Sequence, residues 1–493
     1  MKPIPTTLRE LNRQAWAVIL LCATTAIALP AQTLKILLDF NGANGSQTYA
    51  AMVQATDGNL YAATSAGGAS DYGAIVKMTP GGKLSTLYSF CTKGAPCVDG
   101  AFPYGTLVQA ANGDFYGTTL DGGAQCYGCG SVFKITPSGA LTTIYSFACP
   151  EVGRCPDGAN PESGLVEDAH GNFYGTTLYG GANDHGTVFK LTSGGAFTLL
   201  HSFCVTVCTD GEAPYAGLIL AGDGDFYGTT SGGGAFNNGS VFKITPSGTL
   251  TTVYSFCAQK NCADGFYPYA GVIQATDGKF YGTTSGGGAH DWGTVFKLTP
   301  GGKLTTLYNF CSQSGCTDGE EGYAALIQGT DGNFYGTTAL GGLYSPGGGT
   351  IFQVTPSGEF TTLYSFCAQG SYPLCTDGET PQAALVQDTN GNFYGTTTYG
   401  GKDEGVVFGL SMGLGPFVKT QPTSGAVGAV VNILGTNLTG ATSVTFDGTP
   451  AAFEVVSSSL ITATVPSGAS SGTVQVATPG GTLSSNLAFQ VLP

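Results

Sequence analysis

Basic side chains are scarce in this chain. Lysine and arginine number 17 against 32 aspartates and glutamates, a formal charge of −15 over 493 residues, and all charged types together make up only 10%. Binding to a phosphate backbone needs a basic stripe, so nucleic acid is excluded as a partner. Histidine is scarcer still: His170, His185, His201 and His290 are the only four, and they occupy unrelated places in the pattern described below. No H-E-x-x-H and no phosphate loop occurs, which removes a metalloprotease or nucleotide-binding reading. Long apolar runs are also missing after the first 31 residues, so the mature chain is expected to have no transmembrane segment.

The exception is the N-terminus. Lys2, Arg9 and Arg13 precede an apolar run from Ala15 to Leu29, followed by Leu29-Pro30-Ala31-Gln32. This is the pattern of an export signal cut after Ala31, so residues 1–31 are expected to be a signal peptide. An uncleaved anchor is the competing reading, disfavoured by the short run and weak flanks.

What the chain has in abundance is glycine, 79 residues, together with 11% aromatics. That mixture fits many short strands joined by tight turns. The string Asp331-Gly-Asn-Phe-Tyr-Gly-Thr-Thr338 explains the arrangement, because close copies recur at Tyr61, Tyr116, Tyr174, Tyr227, Tyr281, Tyr335 and Tyr394. Seven copies at a spacing of roughly 53 to 59 residues define a tandem repeat. Within one unit, Tyr269 to Phe310, four runs rich in Val, Ile, Thr, Phe and Tyr are separated by Gly-, Asp- and Pro-rich turns. The unit therefore reads as a four-stranded antiparallel meander.

One such sheet cannot bury both of its faces, whereas seven arranged radially bury each face against a neighbour. The predicted fold is all-β: a seven-bladed β-propeller over residues 32–412. The last unit stops near Met412 without a fourth strand, while Leu34 to Phe40 matches the fourth-strand pattern. That N-terminal strand, residues 34–40, is expected to complete the last blade. Residues 413–493 differ in composition and carry no cysteine. Their short alternating strands predict a linker and a small immunoglobulin-like sandwich.

Cysteines fall in pairs in the links between units: Cys91/Cys97, Cys149/Cys155, Cys204/Cys208, Cys257/Cys262, Cys311/Cys316 and Cys367/Cys375. The first unit has neither member. In an exported protein these pairs predict six loop disulfides, with Cys126 and Cys129 a seventh. Zinc thiolates are the alternative, though no histidine recurs with the pattern. After each pair comes an Asp-Gly, at Asp99, Asp157, Asp210, Asp264, Asp318 and Asp377. These six could form an acidic ring that holds a cation such as calcium, or could be Asx-type turns.

Function is expected on the face carrying the long connections, since loops on a rigid scaffold are where binding residues concentrate. The tips of the Gly-Gly loops carry Tyr72, Tyr127, His185, Phe236, Trp292 and Tyr344. Aromatics beside carboxylates and amides suit stacking on sugar rings, or else pack on the next blade.

The repeated Gly-Asn-Phe-Tyr-Gly-Thr-Thr, Gly-Thr-Val-Phe-Lys-Leu-Thr-Pro and Leu-Thr-Thr-Leu-Tyr-Ser-Phe strings resemble the Gloeo_Verruco (GloVer) tandem repeat of bacterial exported proteins, over about residues 34 to 412. From about Pro416 onward, Pro422-Thr-Ser-Gly-Ala-Val, Val444-Thr-Phe-Asp-Gly-Thr-Pro-Ala and the closing Ala488-Phe-Gln-Val resemble an IPT/TIG domain. These resemblances imply a secreted or cell-surface protein and an accessory module. They supply no established activity and no catalytic residues. The expected role is noncatalytic recognition or scaffolding, with an extracellular glycan or a surface protein as ligand. A polysaccharide-acting enzyme and a structural spacer are the alternatives.

Overall fold

The computed structural model describes residues 32–492 apart from 127, 151–154, 206, 345–346 and 372–373. The expected signal peptide, residues 1–31, and the loop-tip Tyr127 lie outside the described residues. Seven four-stranded antiparallel sheets follow one another along the chain, and the regular elements of the described residues are strands and three short 3-10 turns. Each blade runs from a two-residue inner strand such as Val108–Gln109 through Phe115–Thr119 and Ser131–Ile135 to an outer strand, Leu141–Ser146. The ring closes with strands from opposite ends of it. Thr33–Asp39 pairs antiparallel with Val406–Ser411 and serves as outer strand of the seventh blade.

The recurring Phe-Tyr-Gly-Thr-Thr forms the second strand of each blade and is buried along its whole length. Its tyrosine ring meets the phenylalanine of the next blade: Tyr116 with Phe173 at 4.0 Å, Tyr174 with Phe226 at 4.0 Å, Tyr281 with Phe334 at 3.9 Å between centroids. An aromatic pair of this kind adds about 0.5–1.5 kcal/mol beyond the area it buries. The tyrosine hydroxyl reaches the turn below, Tyr227 donating to Asp223 at 2.9 Å and Tyr335 to Asp331 at 2.8 Å.

The motif's glycine is required by the third strand. Gly117 lies opposite Phe133, and a Cβ built on it would stand 2.6 Å from Phe133 Cζ. In the first blade the same pair is Ala62 opposite Val76. A smaller neighbour admits the methyl group, so the two positions change together.

The motif's first threonine links blades. Thr118 donates to the carbonyl of Ser163, Thr176 to Ala216, Thr229 to Ala270 and Thr283 to Ala324, at 2.7 to 3.1 Å. On the opposite face, inner-strand glutamines clamp the turn of the preceding blade. Gln109 Oε1 accepts from Thr56 N, Gln328 from Thr276 N, and Gln54 from Thr389 N, the last closing the ring.

The C-terminal domain is a sandwich of two four-stranded sheets. Lys419–Gln421, Val430–Leu434, Leu460–Thr464 and Phe453–Val455 form one; Thr449–Pro450, Ser443–Phe446, Val474–Thr478 and Gly481–Ser484 form the other. Val431, Ile433, Phe446, Ile461, Val474 and Val476 fill the space between them. The expected linker is not a loose tether. Leu414 packs against the last blade, and Phe417 is buried with its N–H donating to Thr389 O. The domain rests on the tight-turn face: Ser459 Oγ donates to Thr56 O, and the Lys419 and Gln421 side chains donate to the carbonyls of Gln387 and Gln109. Those two carbonyls end the inner strands of the seventh and second blades, the two that flank the first blade.

Candidate functional site

The cysteine links leave the outer strand of one blade and enter the next. The structure forms the disulfides Cys91–Cys97, Cys126–Cys129, Cys149–Cys155, Cys204–Cys208, Cys257–Cys262, Cys311–Cys316 and Cys367–Cys375. His185 and Glu212 lie near Cys204 and Cys208, but sulfurs bonded to each other are not thiolate ligands.

The six aspartates are committed within their own links. Asp99 accepts from the Tyr88 hydroxyl and Cys91 N, Asp157 from Tyr145 and Ala148 N, Asp210 from His201 and Cys204 N. Asp264, Asp318 and Asp377, all fully buried, accept from Tyr254, Tyr308 and Tyr364 and from two backbone N–H groups each. The tyrosine belongs to the outer strand, so each aspartate ties a link to the edge of its blade. The expected acidic ring around a cation is thus replaced by six separate clamps. The turn reading also changes: Gly100 N donates to Cys97 O, while the carboxylate reaches back over the link. In the link from the seventh blade into the first, Leu38 of the closing strand stands for the tyrosine and Asn44 for the aspartate. Both clamp partners are lost together with the cysteines.

The loop-tip residues divide. Tyr72, His185 and Trp292 share one position, their carbonyls accepting from Phe102 N, Ala213 N and Glu321 N of the next blade. They belong to the first, third and fifth blades, so the ring separates them. Tyr72 packs on Phe102 at 5.4 Å, and His185 Nδ1 lies 2.9 Å from Glu212. Phe236, Trp292 and Tyr344 are exposed, on the fourth, fifth and sixth blades.

A site that the motif reading missed lies on the axis. The residue four positions before each inner strand faces the propeller centre: Tyr49, Tyr104, Glu162, Tyr215, Tyr269, Tyr323 and Gln382 in blade order. They line a cavity of about 380 Å³ floored by glycine and alanine backbone, including Gly105, Gly164, Gly217 and Gly271. The threonine links described above hold the residue that follows Glu162, Tyr215, Tyr269 and Tyr323. Tyr49 and Tyr104 stack at 4.9 Å; Tyr215 meets Tyr269 at 5.1 Å, and Tyr269 meets Tyr323 at 5.3 Å. The well therefore has two aromatic arcs, separated on one side by Glu162 and on the other by Gln382.

Burial pushes the Glu162 carboxyl up to about 7. The phenol of Tyr215 is pushed up to about 12 by burial and then by Glu162, that of Tyr323 to about 12 by burial and then by Glu321, and those of Tyr49 and Tyr269 are raised chiefly by burial. These phenols therefore stay protonated at neutral pH and can donate or accept hydrogen bonds. No lysine or arginine among the described residues lines the cavity. Asp121, Glu320 and Glu379 stand in the bridged pairs beside the long connections, and burial raises all three carboxyls.

The Gloeobacter/Verrucomicrobia repeat matches residues 24–222, 151–263 and 214–450. The chain belongs to this repeat family. Residues 417–491 match the IPT/TIG domain. This Gloeobacter/Verrucomicrobia repeat protein has no match among curated proteins. Among solved structures it is similar to a fungal alcohol oxidase of the AA5 family in complex with copper, at 13% identity and a TM-score of 0.48, covering 94% of this chain and 99% of that one. It is also similar to an auxiliary nutrient binding protein from Bacteroides thetaiotaomicron, at 12% identity and a TM-score of 0.40 over 77% and 76% of the two chains. A Dyadobacter fermentans protein of unknown function matches at 11% identity and a TM-score of 0.39, over 77% and 98%. At such identities these are likenesses of shape, and no activity follows from them. One string of the form G-x-S-x-G, Gly468 to Gly472, joins strands Leu460–Thr464 and Val474–Thr478 of the TIG domain. A nucleophile elbow needs a strand-to-helix turn, so this string is not one.

Proposed function

We propose that this repeat protein is an exported, noncatalytic recognition and scaffold protein that holds an extracellular glycan in the axial well of its propeller. The observation that carries the reading is the well itself: two arcs of tyrosine, with a carboxyl and an amide between them, on a rigid ring. Sugars present apolar C–H faces and a rim of hydroxyls, which stacked phenols and flanking polar groups match. The volume is within the range of about 300–1,000 Å³ that encloses small ligands. Seven disulfides suit an oxidising compartment, and no helix among the described residues is long and apolar enough to cross a membrane.

A catalytic reading has one supporting observation, the raised carboxyl of Glu162. Glycoside hydrolysis calls for a pair of carboxyls, and the lining supplies one. The experiment is a glycan array with residues 32–493, with and without calcium. Wild type is compared with Tyr269→Ala in the well and Trp292→Ala on a loop. Binding lost in Tyr269→Ala and kept in Trp292→Ala supports the well. Binding that depends on Trp292 moves the site to the loop tips; capture of surface protein without any glycan signal overturns the glycan ligand, and release of shortened sugars overturns the noncatalytic role.

A further inference from the structure

Glu162 has no role in the ring that the other six lining residues do not fill without a charge. It stands where five of the units have tyrosine and one has glutamine. Among the described residues no hydrogen-bond donor and no cation approaches its carboxylate closely enough to bond, although it is more than half buried. A half-buried carboxylate without a partner is costly, and proteins keep such groups where something else supplies the partner. The flanking positions on the ring are Tyr104 and Tyr215. A cation held against Glu162 would therefore lie between phenol rings, whose faces attract positive charge. Asp121, whose charge acts on Tyr104, and Glu321, whose charge acts on Tyr269 and Tyr323, add negative potential, and no lysine or arginine among the described residues lines the cavity to oppose it. An anionic sugar is disfavoured by the same arrangement.

We infer that the well takes a sugar bearing a free, protonated amine, and that Glu162 is the counter-ion of that ammonium group. This assignment rests on the glycan reading above and narrows it to amino sugars. The ammonium sits at Glu162, between Tyr104 and Tyr215. The pyranose ring then lies along the tyrosine arc of Tyr215, Tyr269 and Tyr323, with the Gln382 amide and the protonated phenols meeting the hydroxyls. No bond is made or broken.

The test is isothermal titration calorimetry of residues 32–493 at pH 7.5 with four probes: a chitosan tetrasaccharide, its fully N-acetylated counterpart, cellotetraose and choline. Wild type is expected to bind the chitosan oligomer at least tenfold more tightly than either uncharged sugar. Glu162→Gln should erase that preference while the uncharged sugars bind as before. Glu162→Tyr, which installs the residue found in five other units, should do the same and serves if the glutamine variant fails to fold.

Equal affinity for chitosan and its acetylated form, or a preference that survives in both Glu162 variants, overturns the counter-ion assignment and leaves glycan recognition standing. Binding of choline alone, lost in Glu162→Gln, overturns the glycan reading while the cation site stands. A folded wild type that binds none of the four overturns the amino-sugar assignment.

Discussion

The hydroxyl of Tyr254 donates to Asp264 Oδ2 at 2.7 Å, and Asp264 also accepts from Ala258 N and Gln259 N while fully buried. The same pairing recurs in six links, with His201 as donor in one of them. Burial and the neighbouring carboxylate hold the Tyr254 phenol well above its ordinary range, so it remains a donor. Tyr254→Phe is expected to cost about 1–2 kcal/mol and Asp264→Ala about 2–3 kcal/mol, since the latter strands two backbone donors. Urea denaturation of each variant and of the double variant measures this. Additive losses would show that the two residues do not act as a unit.

The glycine of the repeated motif is set by its cross-strand phenylalanine. Gly117→Ala is expected to destabilise by about 1–3 kcal/mol through overpacking against Phe133. Phe133→Val should recover part of that loss when combined with it, reproducing the Ala62 and Val76 pair of the first blade. A double-mutant cycle with no favourable coupling would remove this explanation of the motif.

Much of the fold was legible in the sequence because the physics repeats with it. Strand periodicity, turn residues and paired cysteines are local properties, and seven copies make each of them visible. The closing strand could be read because Leu34 to Phe40 keeps the alternation of an outer strand. The well was not legible in the same way. Its residues sit just ahead of two-residue inner strands, where they look like the edge of an apolar run, and only the radial arrangement brings seven distant positions to one axis. A signal was present all the same: read down the units, that position gives tyrosine five times, then glutamate and glutamine. The Tyr–Asp clamp had a comparable trace, since the unit with Leu38 in place of the tyrosine also has Asn44 in place of the aspartate. Exposure and aromaticity single out Tyr72, His185 and Trp292 as loop tips, and the ring sets them on alternate blades.

Glu162 should leave its mark on stability against pH. Its carboxyl is raised from 4.5 to about 7 by burial, with the protonated phenols of Tyr104 and Tyr215 beside it. The folded state thus holds the proton more tightly than the unfolded chain does. The stabilisation is complete below about pH 4.5 and is lost as pH rises through about 7, on the order of 2 kcal/mol after allowance for remaining solvent contact. Wild type compared with Glu162→Gln by chemical denaturation between pH 4.5 and 8 tests this. A difference between them that stays constant across the range would refute it.

Lys419 is half-buried where the two domains meet, and burial lowers its amine to about 8. Its Nζ donates to Gln387 O, and Asp388 provides the nearby opposing charge. Lys419→Met fills the same space without a buried charge and is expected to leave stability unchanged or improved. Lys419→Ala should lower it by about 1–3 kcal/mol. In the native protein Lys419 should be the last lysine labelled by an amine-directed reagent, as read by peptide mass spectrometry. Early labelling would mean that the TIG domain does not stay docked.

Pairing of Thr33–Asp39 with Val406–Ser411 also governs when the molecule can form. Six blades are assembled from consecutive stretches of chain, but the seventh waits for its last three strands, some 350 residues after the first was made. Until then one blade face at each end of the arc lies open to solvent. The N-terminal strand must stay free of other partners throughout that interval, because the long loop between the two segments closes only once. The order of synthesis is thereby written into the architecture: the well acquires its full circumference, and the TIG domain its seat on the seventh and second blades, in the final step.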